Sequence, residues 1–160
     1  MFKHYYICIM SIEKDLQQSK PFKNELQRAA VNLFFTSRYV ETRLQDFHKS
    51  FGVTMKQYNI LRILKGAGKP ISTQLIRERM IDRMSDISRI VDRMVDKEIV
   101  SKCTNGADKR LVDISLTEKG MSLLEEINVV QELQENILDN LSVEDAKQLN
   151  TLLDKIRGYN

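Results

Sequence analysis

The sequence predicts a mainly α-helical fold that carries one small β-hairpin. Apolar residues recur every three or four positions over most of the chain, as they do on amphipathic helices. Residues 99–116 are the exception, because there apolar and polar residues alternate as on strands and flank the turn-rich segment 104–108. The chain has six glycines and two prolines, so few long loops are expected between these elements.

The first helix is predicted over residues 22–51, where apolar side chains keep helical spacing apart from one gap at Ser37. Pro21 suits a first helical turn, in which an N–H would have no partner, and Gly52 ends the pattern. A helix of this length spans about 45 Å. Because a domain of this size is narrower, part of the helix is expected to pack outside its own core. Residues 1–21 are expected to form a partly disordered N-terminal extension.

Three shorter helices are predicted next. Thr54 and Gln57 have the spacing of a capping box, Ser72 is a candidate N-cap for the following helix, and the third of these helices runs to about Glu98. Its core-facing stripe is predicted to comprise Met84, Ile87, Val91, Met94 and Val95. Its outer face carries the polar side chains of Ser85, Asp86, Ser88, Arg89, Asp92, Arg93 and Asp96.

A hairpin and two further helices complete the pattern. Strands are predicted over 99–103 and 111–116, and Thr117 is expected to cap the helix that follows. Ser142 and Asp145 have capping-box spacing at the start of the last helix. Two short helices followed by a hairpin have the order of a winged helix-turn-helix.

This order suits duplex DNA. A helix fits the major groove, where short polar side chains allow a close approach, and an arginine at a hairpin tip can enter the adjacent minor groove. Charge is unevenly distributed, since residues 1–72 carry 12 basic and 5 acidic side chains whereas residues 118–160 carry 4 and 9. The asymmetry favours one face that meets a polyanion and another that points away from it, although chance would also produce it.

Two stretches resemble the multiple antibiotic resistance regulator (MarR) family. Residues 88–97 are Ser-Arg-Ile-Val-Asp-Arg-Met-Val-Asp-Lys, and residues 108–120 are Asp-Lys-Arg-Leu-Val-Asp-Ile-Ser-Leu-Thr-Glu-Lys-Gly. The second stretch matches the family's wing motif, an Asp-x-Arg followed by a strand that leads into Leu-Thr-x-x-Gly. The resemblance covers residues 22–157, approximately.

The resemblance implies a triangular homodimer within which each chain is one structural domain. Residues 22–53 and 118–160 would supply the dimerisation helices, and residues 54–117 the DNA-binding lobe. Asp108 would hold the wing arginine in place. Glu98 departs from the family, which usually has Gly after the recognition helix. A left-handed helix end costs more without Gly, so the entry into the wing is expected to differ locally from the family's. The DNA contacts that the resemblance implies are Ser85, Asp86, Ser88, Arg89, Arg93, Lys109 and Arg110.

Two further sites are hypotheses. The family often binds small phenolic or lipophilic effectors between its dimerisation helices and DNA-binding lobes, and some members sense oxidants through an N-terminal cysteine. Cys8, which follows Tyr5 and Tyr6, is the candidate for redox sensing, with an incidental thiol as the alternative. The candidate effector cleft comprises Phe35, Tyr39, Phe47 and Phe51, although aromatic residues at helical spacing also suit an ordinary core.

Other function classes have little support in the sequence. His4 and His48 are the only histidines, no ligand pair has zinc spacing, and the chain has no Gly-rich phosphate loop and no GxSxG motif. An enzyme, a metal site and a cofactor are therefore not expected. Two cysteines, and no apolar run of about 20 residues, favour a reducing cytoplasm over secretion or a membrane. No signal peptide is expected either.

The sequence therefore predicts a cytoplasmic, homodimeric transcription regulator that binds double-stranded DNA at an inverted repeat. Repression is the expected direction, with release by a small-molecule effector. The alternative is a dimeric winged-helix protein that binds other proteins and not DNA.

Overall fold

The computed structural model describes residues 11–105, 112–133 and 137–159. It is mainly α-helical with one small antiparallel sheet, as predicted from the sequence. The elements are α1 (Ile12–Asp15), α2 (Glu25–Ser50), α3 (Met55–Ala67), β1 (Ile71–Ser72), α4 (Thr73–Arg79), α5 (Ile87–Asp96), β2 (Val100–Thr104), β3 (Val112–Leu116), α6 (Glu118–Leu133) and α7 (Val143–Ile156).

Local hydrogen bonds fix the helix starts. Thr54 and Ser142 both open capping boxes, in which the side chain accepts from the backbone N–H three residues on and the third residue accepts in return. The Ser72 hydroxyl accepts from Leu75 N at 3.2 Å and caps α4. All three N-caps are those predicted from the sequence.

The described chain divides into two compact units, one up to Thr42 and the other from Arg43. In the first unit Arg28 Nε donates to Glu13 Oε1 at 2.8 Å, which joins α2 to α1. Ile12 is buried, whereas Leu26 and Phe34 on α2 leave most of their apolar surface exposed. The part of α2 in this unit therefore presents apolar side chains that no described residue of the unit covers.

The second unit has one apolar core, formed where α3, α4, α5, α6 and the sheet meet. Ile60, Ile76, Ile87, Met94 and Ile127 are completely buried in it. In the sheet β3 lies between β1 and β2, and both pairings are antiparallel. β1 is not among the predicted strands, because two residues are too few to show alternation.

A buried histidine anchors the end of α2 in this core. His48 is 2% exposed, its Nδ1 lies 2.6 Å from the Leu44 carbonyl oxygen, and its ring centroid lies 4.3 Å from that of Tyr58. Burial lowers the pKa of His48, which keeps the ring neutral. The Tyr58 hydroxyl in turn donates to amide oxygens of α6, at 3.2 Å to Asn128 and 3.1 Å to Gln131.

A backbone junction connects α5, β2 and α6. Glu98 has a left-handed backbone (φ 61°) although it is not glycine, and it turns the chain from α5 into β2. The Thr117 hydroxyl donates to the Glu98 carbonyl oxygen at 2.7 Å and accepts from Gly120 N at 3.0 Å, so it caps α6. A Cβ on Gly120 would overlap the Ile99 carbonyl oxygen and lie 2.9 Å from its carbon. The Leu-Thr-x-x-Gly motif is therefore the contact that seats α6 on Ile99.

Gly120→Ala is expected to lower the free energy of unfolding by about 1–3 kcal/mol, because the added methyl group displaces α6 from the Ile99 backbone. The matched control is Gly66→Ala on α3, where a Cβ would meet nothing within 4 Å and stability should rise by about 0.5–1 kcal/mol. Urea unfolding of both variants measures the two changes. Equal effects of the two substitutions would contradict the close approach at Gly120.

Candidate nucleic-acid interface

Helices α4 and α5 form a helix-turn-helix whose second helix is strongly two-sided. Ile87, Val91 and Met94 face the core and are at most 1% exposed. Ser88, Arg89, Asp92, Arg93 and Asp96 all lie on the exposed face of α5. The helix therefore presents short polar and basic side chains together, as the sequence predicted.

Asp86 sets the start of α5 and holds Arg89. Its carboxylate accepts from Arg89 N at 3.3 Å, which makes it the N-cap, and lies 3.2 Å from Arg89 Nε. The Arg89 side chain stays 81% exposed. Asp86 therefore positions Arg89 near the first turn of the helix and leaves the guanidinium free on its outer side.

The turn between α4 and α5 depends on Asp82. Its carboxylate accepts from Lys56 Nζ at 2.7 Å, from the Ser85 hydroxyl at 2.8 Å and from Met84 N at 3.1 Å. The hydrogen bond from Lys56, supported by the other two, lowers the pKa of Asp82 to about 2. Sequence reasoning missed Asp82, although a carboxylate that can bond the N–H two residues on is a known turn signal.

Ser85 and Met84 occupy the reverse of their expected positions. Ser85 was expected to face outward, but its side chain is buried and its hydroxyl bonds Asp82. Met84 was expected in the core, but it is 95% exposed. The reason is that α5 begins only at Ile87, so the helical period does not extend back through the turn.

Among the described residues around this turn, the charged side chains that make no ion pair are mostly basic. Within the described residues Arg77, Arg79, Arg83 and Arg93 make no ion pair, and all four are exposed. Asp92 is neutralised, because Lys102 of β2 donates to it at 2.6 Å. The acids that intersperse α5 are thus partly compensated, and the arginines are left to meet an anion.

The wing is described only along its strands. β2 and β3 pair in register from Val100 opposite Leu116 to Thr104 opposite Val112. Asp108, Lys109 and Arg110, and the candidate redox residue Cys8, lie outside the described residues. Their expected roles remain predictions.

The four aromatic residues of the candidate effector cleft fall in different places. Phe35 is half-buried and Tyr39 exposed, both in the first unit. In the second unit the rings of Phe47 and Phe51 meet edge to face at 5.2 Å. Phe51 also lines a cavity of about 680 Å³, whose other walls are Gly52, Val53, Lys97, Ile99, Lys119, Ser122, Leu123 and Glu126.

Within the described ranges, no group of three His, Cys, Asp or Glu side chains is placed to hold a metal ion. None of the helices described is both long enough and apolar enough to cross a membrane.

Asp82→Asn is expected to destabilise the protein at neutral pH, and to do so less as the medium becomes acidic. The folded pKa near 2 lies below the ordinary value of 3.8, so the carboxylate stabilises the fold fully above about pH 4 and loses this effect as pH falls towards 2. Unfolding curves between pH 2 and 6 measure the difference from wild type. Asp154→Asn, which removes a carboxylate that pairs with Arg157 one turn away, is the control. A pH-independent difference at Asp82 would refute the assignment.

The known proteins to which this chain is similar are transcriptional regulators. A family model for the transcriptional regulators SarA and Rot matches residues 43–127, more than half of the chain. The transcriptional repressor MdtR of Bacillus subtilis is 34% identical over 112 residues, which cover 70% of this chain and 70% of MdtR.

Two solved structures show the same fold. A mutant MarR of Escherichia coli complexed with operator DNA superposes with a TM-score of 0.73 at 23% identity, over 86% of this chain and 99% of that one. The organohalide-sensing regulator RdhR, bound to 2,4-dichlorophenol, superposes with a TM-score of 0.71 at 19% identity, over 88% and 86%. The chain therefore belongs to the MarR-like winged-helix transcriptional regulators of the SarA/Rot family, which are not enzymes.

Proposed function

We propose that this regulator binds an inverted-repeat operator as a homodimer and represses transcription in the cytoplasm. The observation that carries the proposal is the exposed face of α5, where Asp86 holds Arg89 at the helix start and Ser88 and Arg93 lie alongside. In a helix-turn-helix the first residues of the second helix contact base edges. We assign Ser88 and Arg89 to the major groove and Arg93 to phosphate, with Lys109 and Arg110 as the expected wing contacts.

The apolar surface of α7 supports a homodimer. None of its residues is buried, and Val143, Leu152 and Ile156 are more than half exposed. A soluble protein rarely leaves such a face open to water. In the first unit Leu26 and Phe34 are similarly exposed. A second copy that covers these faces would bring two α5 helices to successive major grooves, about 34 Å apart.

Repression is the direction that one relative favours. MdtR, the relative with 34% identity, is a transcriptional repressor. A dimer seated on an operator blocks access to the same DNA, and no activating surface needs to be invoked. The alternative, a winged-helix protein that binds proteins and not DNA, does not account for the four exposed arginines on α4, α5 and the turn between them, which make no ion pair with any described residue.

The test begins with selection from random duplex DNA by the purified protein. We expect an inverted repeat, and an affinity that falls steeply between 50 and 200 mM salt because phosphate contacts release counterions. Arg89→Ala should cost about 1–3 kcal/mol of binding free energy and relax the base preference at one position per half-site. The charge-matched control is Lys147→Ala on α7, which is exposed and far along the chain from α5.

Equal losses for Arg89→Ala and Lys147→Ala would show that only net charge matters and would refute the groove assignment. Failure of the folded protein to select any duplex, together with salt-insensitive capture of a protein partner, would favour the alternative.

We further propose that a small phenolic or lipophilic effector binds in the cavity at Phe51. Its volume of about 680 Å³ suits a small ligand. Phe51, Val53, Ile99 and Leu123 supply apolar walls, while Lys97 and Lys119 supply positive charge beside them. RdhR, which shares the fold, was solved with a chlorinated phenol, and 2,4-dichlorophenol is therefore the probe that we choose.

Leu123→Trp should weaken binding of 2,4-dichlorophenol at least about tenfold, because the larger side chain projects from the apolar wall into the space that the phenol ring would occupy. Titration calorimetry on the free protein measures the change. Val129→Trp, an exposed position on the same helix, is the control and should bind the phenol as wild type does. Undiminished binding by Leu123→Trp would exclude this cavity as the site.

A further inference from the structure

Two apolar side chains project from the turn that precedes α5. Met84 is 95% exposed and Ile81 is 94% exposed, more than any other large hydrophobic residue that the structure describes. Buried residues flank this segment on both sides, since Met80 is 4% exposed and Ile87 is completely buried. The turn thus places two apolar groups in solvent between two fixed points of the core.

This exposure belongs to an ordered turn. Asp82 bonds Lys56, Ser85 and the backbone N–H of Met84, so the backbone that carries Met84 is held from three directions. Ser85 fills the buried position next to Met84. The serine is therefore part of the protein interior, whereas the methionine beside it extends into solvent.

The surroundings of this pair are basic. Arg79 and Arg83 are exposed next to it and, within the described part of the chain, neither makes an ion pair. A polyanion that also offers apolar groups is the partner that fits this combination. In duplex DNA the C5-methyl group of thymine is the apolar feature of the major-groove edge.

The position in the fold agrees with this chemistry. Met84 lies two residues before Asp86, the N-cap of α5. The N-terminal end of a recognition helix is the part that approaches base edges. A methionine there can adapt its unbranched side chain to a methyl group.

We propose that Met84, with Ile81 beside it, packs against thymine C5-methyl groups in each operator half-site and sets a preference for thymine at those positions. The inference rests on the proposed operator binding. It differs from that proposal in assigning specificity to the turn, whose apolar side chains add no charge and no hydrogen bond.

The test uses the duplex that wild-type protein selects. Each thymine is replaced in turn by deoxyuridine, which lacks only the methyl group. We expect wild-type affinity to fall about fourfold at one or two symmetry-related positions, the effect of removing one buried methyl group. Met84→Gln, which is similar in length but polar, should lose this sensitivity, and Met84→Leu should retain it.

The outcomes separate the two proposals. Salt-dependent binding with no thymine position sensitive to deoxyuridine would overturn the role of Met84 and leave operator binding intact, as would a sensitivity that Met84→Gln preserves in full. Failure of wild-type protein to bind any duplex would overturn both. Because Met84 is exposed, Met84→Gln should melt at the wild-type temperature, which separates loss of contact from loss of folding.

Discussion

The orientation of α5 depends on the close approach of α6 to the backbone at Glu98 and Ile99. Gly120 permits that approach because it has no side chain, and Thr117 completes it by bonding both the Glu98 carbonyl and the first turn of α6. Glu98 adopts a left-handed backbone, and the chain leaves α5 and enters β2 with only three residues between them. One small set of backbone contacts therefore fixes α5, the wing strand and α6 relative to one another.

The opposite end of α5 is held by carboxylates. Asp86 caps the helix and Asp82 holds the preceding turn, and negative charge near a helix N-terminus is favoured by the helix dipole. Lys102 adds a lateral contact from β2 to Asp92. Because both ends and one side are fixed within the protein, the backbone of α5 is held in place without a partner, and binding need not order it.

Local sequence signals predicted most of this architecture. The features that they did not predict depend on contacts between residues that are distant in the chain. The capping boxes at Thr54 and Ser142 are complete within four residues, so the pattern alone sufficed. β1 was missed because its two residues acquire strand geometry only by pairing with β3. Met84 was misplaced because helical periodicity was continued into a turn, and the turn is controlled by Asp82 through Lys56, which is 26 residues away in the chain. No local window contains that ion pair.

The cavity at Phe51 and the junction at Ile99 share residues, so a ligand of the kind proposed for the cavity would contact the junction that holds α5. Ile99 and Lys119 line the cavity, while Lys119 also donates to the Glu98 carboxylate at 2.9 Å. Lys97, another lining residue, donates to the Gly52 carbonyl oxygen across the same space. A ligand shifts a conformational equilibrium only by as much as it prefers one state. A molecule in this cavity would contact the residues that orient α5, so any preference it has for one arrangement of them acts directly on the recognition helix.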